Sequence, residues 1–508
     1  MGLLRARLRV LAVLLSPRGP GALLLGVLCV AAALRFWHIS DLGLTHFDEG
    51  HYALAGRAIA EDADALFSEL PVYFAPAVWP VSLAVAFKLF GAHDWVAIAL
   101  AGLCGVLTVA AVYLLGARLY DRRVGVTAAL FLACNCFHLF YSRMALTEAM
   151  FLLTFTLALL FVYAAHRERD LVGFGLAGLA TGLCMHVKYS GSLPLLLYVG
   201  VLALEAARCA LRDRAKLGDL GRRALGAALA LGIAALCYLP WVLYVERLGG
   251  GYAALAAHQS AYSLGRPPLI RTPPTVVLAY LSRWTSPLLL AAAALGALHA
   301  WRRPRLRDRF LIAITAGYAA SVALYESFPR LGLPLVVFLS LLAGVGLARG
   351  VRGALPARRR WVWIASAGTV ATAELFVSVP HLALSTNGYR EAGMEADKLD
   401  GDVFKVTATN FDFYSDRARY LEDTPELRRE LAAPRTRYVV VDDYLSSAPK
   451  FPREVFFINP TQVQWFIPNS RYEVVRLQKV THERLAALDG EPDGIIRILR
   501  LTGPVRLP

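Results

Sequence analysis

A chain of 508 residues that is 57% hydrophobic, with a mean hydropathy of +0.49, is too apolar for an ordinary soluble protein. Apolar runs of about 17–25 residues recur along it, each able to cross ~30 Å of hydrocarbon, and the alternating segments of a β-barrel are not visible. The net charge of +15 is concentrated between those runs, where Lys and Arg hold short loops on the cytoplasmic side, so it reads as topology and not as a nucleic-acid footprint.

The class is therefore a polytopic α-helical membrane protein. The first apolar run, 21–37, follows Arg5, Arg7 and Arg9. It is long for the apolar region of a cleaved signal and reads as a retained signal anchor leading outward. Beyond it comes an acidic cluster, Phe47-Asp48-Glu49-Gly50-His51-Tyr52. Charges beside a bilayer are costly and mark function by default. A carboxylate at the membrane rim can accept a proton from an incoming hydroxyl.

The run 79–90 is too short to span and follows Pro71, Pro76 and Pro80. It reads as a juxtamembrane helix inside one long external loop, 38–94. With that choice the basic turn Arg118, Arg122, Arg123 falls inside, as do the basic stretches within 166–169, 208–223, 302–309 and 349–360. The expected spans are 21–37, 95–117, 124–141, 148–165, 171–187, 190–207, 224–245, 286–301, 309–325, 331–348 and 361–379, about eleven crossings that leave the C-terminus outside.

After Pro380 the composition turns to that of a soluble domain. Short β-rich runs at 403–409, 438–441, 455–458, 472–477 and 495–501 alternate with polar helical stretches such as 425–431, predicting a small extracytoplasmic α/β domain over 381–508 behind a transmembrane domain over 1–380. All seven cysteines lie in or beside apolar segments before residue 240, with no metal-binding spacing, so a disulfide framework and structural zinc are not expected.

In this topology a second acid, Glu148, meets the external face in Ser142-Arg143-Met144-Ala145-Leu146-Thr147-Glu148. It suits either a helix N-terminus, where the macrodipole favours a carboxylate, or a substrate site. External cations are sparse: Lys188 in His186-Val187-Lys188-Tyr189 and Arg330 in Phe328-Pro329-Arg330. Each could snorkel to headgroups or clamp a lipid phosphate as charge develops on a leaving group. His51 and His258 are candidate phosphate or metal ligands, with Glu148 and His258 the pair a divalent metal would take. No cofactor is required by any motif. Gly249-Gly250-Gly251 lacks the strand and lysine of a phosphate loop, which argues against a nucleotide-sugar donor.

Taken together, these segments resemble the C-type superfamily of membrane glycosyltransferases, in the branch of protein O-mannosyltransferases and lipid A aminoarabinose transferases. Residues 47–53, Phe-Asp-Glu-Gly-His-Tyr-Ala, resemble that branch's Asp-Glu-x-x-Tyr-Ala motif. Tyr73-Phe74-Ala75-Pro76 through Lys88-Leu89-Phe90-Gly91 resembles its juxtamembrane segment, Arg143 to Glu148 its second acidic motif, and Phe328 to Pro334 its Arg-Tyr-Leu-Leu-Pro stretch. Tyr389-Arg390-Glu391-Ala392 resembles the opening of its exported domain. The resemblance implies an inverting transfer of a sugar from a polyprenyl-phosphate donor to an external protein, lipid or glycan. Asp48 would be general base or acceptor-orienting residue beside Glu49, with His51, Tyr52, Lys188, Arg330, Arg143 and Glu148 around substrate and phosphate. The cell (inner or plasma) membrane is the implied location.

Two departures bear on donor recognition. His51 stands where the aminoarabinose transferases carry arginine, and Ala75-Pro76 replaces a Glu-Lys-Pro stretch. Alternatives from other classes are an oligosaccharyltransferase using a diphosphate donor and a non-enzymatic flippase of lipid-linked sugars. A flippase would place charges near the midplane on broken helices, often in repeated halves.

Overall fold

The structure, a computed structural model, describes residues 20–67, 70, 72, 75–212, 217–248, 250–261, 272–302, 304–324, 329–350, 358–382, 388–407, 409–420, 425–432, 435–442, 471–480 and 494–503. The chain divides into two compact units. One comprises residues 1–37, 70–81 and 98–382; the other comprises 38–69, 82–97 and 383–508.

The helices in chain order are α1 Pro20–Phe36, α2 Phe47–Glu61, α3 Val78–Phe90, α4 Asp94–Leu119, α5 Arg122–Cys134, α6 Cys136–Tyr141, α7 Thr147–Glu168, α8 Leu171–Val187, α9 Leu193–Arg212 and α10 Leu217–Glu246. They continue as α11 Gly251–Ala261, α12 Pro274–Trp284, α13 Pro287–Arg302, α14 Leu306–Ala323, α15 Leu333–Gly350, α16 Arg359–Leu382, α17 Tyr389–Asp397, α18 Thr409–Tyr414 and α19 Pro425–Ala432. Each predicted span coincides largely with helix among the described residues, one of them broken. Among the described residues seven helices are long and apolar enough to cross a membrane, and shorter apolar helices accompany them. Large apolar side chains such as Leu204, Leu236 and Phe376 point outward uncovered, as lipid-facing positions do. The juxtamembrane segment is a helix of 13 residues, about 20 Å at 1.5 Å per residue and short of a bilayer.

The predicted span 124–141 differs from expectation: it is two helices broken at Asn135, whose backbone is extended. The Asn135 Oδ1 caps α6 by accepting from the His138 N–H at 3.1 Å. Its Nδ2 donates to Glu374 Oε2 at 2.7 Å and to Thr285 Oγ1 at 3.3 Å. The other Glu374 oxygen accepts from the Ser286 N–H at 2.7 Å. One fully buried carboxylate on α16 thus ties the break at Asn135 to the start of α13. Local patterning missed the break because its compensating partner lies 239 residues away.

Close helix packing fixes the same unit. Gly296 on α13 and Gly346 on α15 face backbone: a Cβ at Gly296 would sit 1.8 Å from the Leu342 carbonyl oxygen, and one at Gly346 would sit 2.3 Å from that of Ala292. Only small residues let helices approach so closely.

The second unit carries a mixed sheet of β1 Asp402–Val406, β2 Arg419–Tyr420, β3 Arg437–Asp442, β4 Tyr472–Val480 and β5 Gly494–Leu501, in the order β2-β1-β3-β5-β4. β1 runs parallel to β2 and β3, while β5 pairs antiparallel with β3 and β4. All six residues of β3 are buried, which suits the central strand. Four of the five β-rich runs fall on these strands and the stretch at 425–431 is helical; the run at 455–458 lies outside the described residues. The Tyr389 hydroxyl donates to Asp442 Oδ2 at 3.0 Å, fastening α17 to the end of β3.

The α13–α15 contact gives a stability prediction. Gly296→Leu should lower the unfolding temperature in detergent strongly, because overpacking against rigid backbone costs about 1–3 kcal/mol or more. Gly200→Leu, at an α9 position with nothing within 4 Å of its Cβ, should leave it nearly unchanged. Equal thermal unfolding of the two variants would contradict the packing.

Candidate functional site

The predicted site residues fall into two groups, one in each unit. In the second unit, Asp48 and Glu49 open α2, and their surroundings separate their roles. Glu49 is fully buried, and its Oε2 accepts three hydrogen bonds: from the Thr45 N–H at 2.8 Å, the Thr45 hydroxyl at 3.0 Å and the His46 N–H at 2.7 Å. In return the His46 Nδ1 accepts from the Asp48 N–H at 3.1 Å. This reciprocal cap satisfies donors that the first helical turn leaves open. Glu49 thus helps fix the start of the helix. Asp48 instead keeps a carboxylate that is 12% exposed, with His46 Nδ1 3.8 Å from one oxygen. At the helix N-terminus the peptide dipoles favour its negative charge.

His51, one turn on, packs edge-on against Phe47 with ring centroids 4.5 Å apart. Burial pushes its pKa down to about 4, opposed by the Asp48 charge. Its burial thus disfavours the positively charged form. Tyr52 is buried.

In the first unit, three predicted residues from distant parts of the chain converge. Glu148 lies in the first turn of α7, buried to 2% exposure. Lys188 ends α8 in extended conformation, and Arg330 occupies the 3₁₀ turn Pro329–Gly332 before α15. Lys188 Nζ reaches Glu148 Oε1 at 2.6 Å, and Arg330 Nε lies 3.7 Å from the same oxygen. The Thr147 hydroxyl donates to the other oxygen at 3.2 Å.

Both turns are pinned. Gly191 presses against the Cys184 backbone, where an added Cβ would sit at 2.3 Å, and the Tyr318 hydroxyl donates to the Leu331 carbonyl at 3.0 Å. Glu148 is thus both a first-turn carboxylate and an anchor for two cations. Among the described residues, two cations meet this one carboxylate. Lys188 and Arg330 are 21% and 24% exposed, so both remain within reach of a further anion.

Arg143 does not join them through its described bonds. It is buried, and its Nη1 donates to the Leu34 carbonyl at 2.7 Å, fastening the end of α1. His258 lies on α11, where burial lowers its pKa. Among the described residues no group of three or more His, Cys, Asp and Glu side chains is arranged to hold a metal, and Glu148 is engaged by cations. Tyr73 and Phe74 of the juxtamembrane motif lie outside the described residues.

The sequence reading passed over several buried polar groups. Arg35 is fully buried, donating to the Ala31 and Ala133 carbonyls at 3.0 and 3.2 Å with Nη2 2.7 Å from His138 Nδ1. A lone arginine inside the run 21–37 was the available signal. Asp94 and Glu374, each at or within an apolar helix, carried the same one.

Residues 75–244 match the family model of dolichyl-phosphate-mannose-protein mannosyltransferases. No curated protein matches the chain by sequence. Among solved structures, ArnT from Cupriavidus metallidurans bound to undecaprenyl phosphate superposes with a TM-score of 0.64 at 15% identity, over 94% of this chain and 97% of that one. The Archaeoglobus fulgidus oligosaccharyltransferase in complex with Zn and sulfate gives 0.59 at 14% identity, over 89% and 71%. Identities this low speak for fold alone. The resemblance drawn from the motifs is borne out at that level: this chain is a multi-span membrane protein with the C-type glycosyltransferase fold.

Proposed function

We propose that the protein is an integral-membrane glycosyltransferase that moves a sugar from a polyprenyl-phosphate donor to an extracytoplasmic acceptor with inversion. The observation that carries this reading is the Glu148–Lys188–Arg330 constellation, two accessible cations braced by one buried carboxylate. A family match named for dolichyl-phosphate-mannose and a structural neighbour bound to undecaprenyl phosphate make a prenyl-linked phosphate the natural anion for it.

In this reading an acceptor hydroxyl attacks the anomeric carbon from the face opposite the phosphate. Asp48 takes the hydroxyl proton as the new C–O bond forms. The bond from the anomeric carbon to phosphate oxygen breaks, and its electron pair leaves on the phosphate. Lys188 and Arg330 hold that developing charge, Arg330 as a planar fork and Lys188 as a point charge. A single displacement inverts the anomeric centre. Glu49 holds the helix start that presents Asp48.

Asp48→Asn keeps the size of the side chain but not its basicity. Turnover should fall by roughly 10²–10⁴ at equal membrane abundance; activity within a few-fold of wild type would remove Asp48 as base. Arg330→Lys, which keeps charge but loses the fork, and Lys188→Gln should each raise the apparent KM for a purified polyprenyl-monophosphate sugar or lower kcat. If both match wild type, the phosphate is held elsewhere. Turnover with a diphosphate-linked oligosaccharide and none with the monophosphate sugar would favour the oligosaccharyltransferase. Translocation of the lipid-linked sugar without transfer would favour the flippase.

Orientation has its own test, because the proposed chemistry needs the second unit outside. In a variant lacking the native cysteines, Val475→Cys, at a position 47% exposed on β4, should react with a membrane-impermeant thiol reagent in intact cells. Arg122→Cys, at the exposed start of α5, should react only after permeabilisation. The reverse pattern would overturn the topology.

A further inference from the structure

The segment that leads into Asp48 is held by residues far away in the chain, all within the second unit. Leu42, Leu44 and Thr45 are almost fully buried, and Gly43 turns the chain at φ +66°, a conformation that favours glycine. Both backbone groups of Leu44 are bonded to α18. Its N–H donates to the Tyr414 hydroxyl at 2.8 Å, and its carbonyl accepts from Asn410 Nδ2 at 3.3 Å.

Tyr414 is held in turn. Its hydroxyl donates to Asp94 Oδ2 at 2.7 Å, and the same oxygen accepts from Arg390 Nε at 3.1 Å and Nη2 at 2.5 Å. Burial, reinforced by the Asp94 charge, keeps the phenol pKa well above its ordinary value, so the hydroxyl stays protonated and can donate and accept at once. The result is a chain that runs from Leu44 N–H through the Tyr414 hydroxyl to Asp94, whose carboxylate also accepts from Arg390 on its other side. Bonds in such a chain polarise and strengthen one another. On the other flank Arg57, from α2 itself, pairs with Asp416 at 2.6 Å.

We propose that Tyr414 and Asn410, braced by Asp94 and Arg390, are positioning residues that fix the 42–48 segment and so the carboxylate of Asp48. One task of the C-terminal segment is then to hold the base still. The proposal deepens the transferase reading and rests on Asp48 being the base. Tyr414→Phe deletes both hydroxyl bonds while keeping the ring. A base displaced by about 1 Å can lose on the order of 10²-fold in rate.

The test uses the full-length protein in detergent with a polyprenyl-monophosphate sugar and has two arms. In the first, hydrogen–deuterium exchange of the peptide covering 42–52 should quicken in Tyr414→Phe. It should stay at the wild-type rate in Tyr389→Phe, which loses a comparable phenol bond to Asp442 in the same unit. In the second, Tyr414→Phe should lower kcat by roughly 10–100-fold with donor KM unchanged, and Asp94→Asn should follow it. In an Asp48→Asn background the Tyr414 change should cost nothing further, since there is no base left to place.

Unchanged exchange in Tyr414→Phe would overturn the proposal. So would quickened exchange with unchanged kcat while Asp48→Asn is inactive, or a full additional loss in the double variant. Wild-type activity in Asp48→Asn would instead remove the base assignment, and the exchange arm alone would then decide whether α18 holds the segment.

Discussion

A carboxylate taken out of water must be met by hydrogen bonds or opposite charge, and three buried acids, two in the first unit and one in the second, show how each unit meets that demand. Leaving such a charge unmatched costs several kcal/mol, so each acid enforces the position of whatever it bonds. Glu148 gathers Lys188 and Arg330, 40 and 182 residues downstream of it, into one cationic group. Glu49 gathers Thr45 and His46 into a helix start. Glu374 gathers Asn135 and Ser286 across three helices. In each case the carboxylate fixes the position of the groups it bonds.

Adjacent acids in one motif can have different surroundings. Asp48 and Glu49 share a helical turn, but the three described bonds to Glu49 come from the chain that precedes it, whereas the side chain of Asp48 is 12% exposed. For His51, read as a stand-in for an arginine, burial disfavours the charged form. In the first unit, Lys188 and Arg330 are the cations that the proposed reading assigns to the donor phosphate.

The first unit is stabilised where a soluble protein would lean on hydrophobic burial against water. Its outer surface is apolar, so helix association relies on close backbone approach, as at Gly296 and Gly346, and on internal polar bonds. The break at Asn135 is tolerated because side chains take over the bonds that the helix gives up there. In the second unit a buried ion pair of Lys405 and Asp412, 2.9 Å apart and joined by the Tyr420 hydroxyl, holds α18 to the sheet, so the helix that grips Leu44 is itself anchored.

The sequence by itself determined the class, the positions of the apolar helices, most of the C-terminal strands and the motif residues Asp48, Glu148, Lys188 and Arg330. The apolar helices and strands are written in local composition and periodicity, and the motif residues stand out through the resemblance those segments carry. Tertiary structure decided what no local pattern encodes. Glu148 and its two cations meet because α7, α8 and the turn before α15 fold together. Residues 38–69 and 82–97 form one compact unit with the C-terminal segment, so that Tyr414 bonds Leu44 across 370 residues. The roles of Asp94, Arg390 and Tyr414 emerge only from the partners they meet in the folded chain. A charge's burial, and therefore what it must bind, is a property of the whole fold and not of its neighbours in sequence.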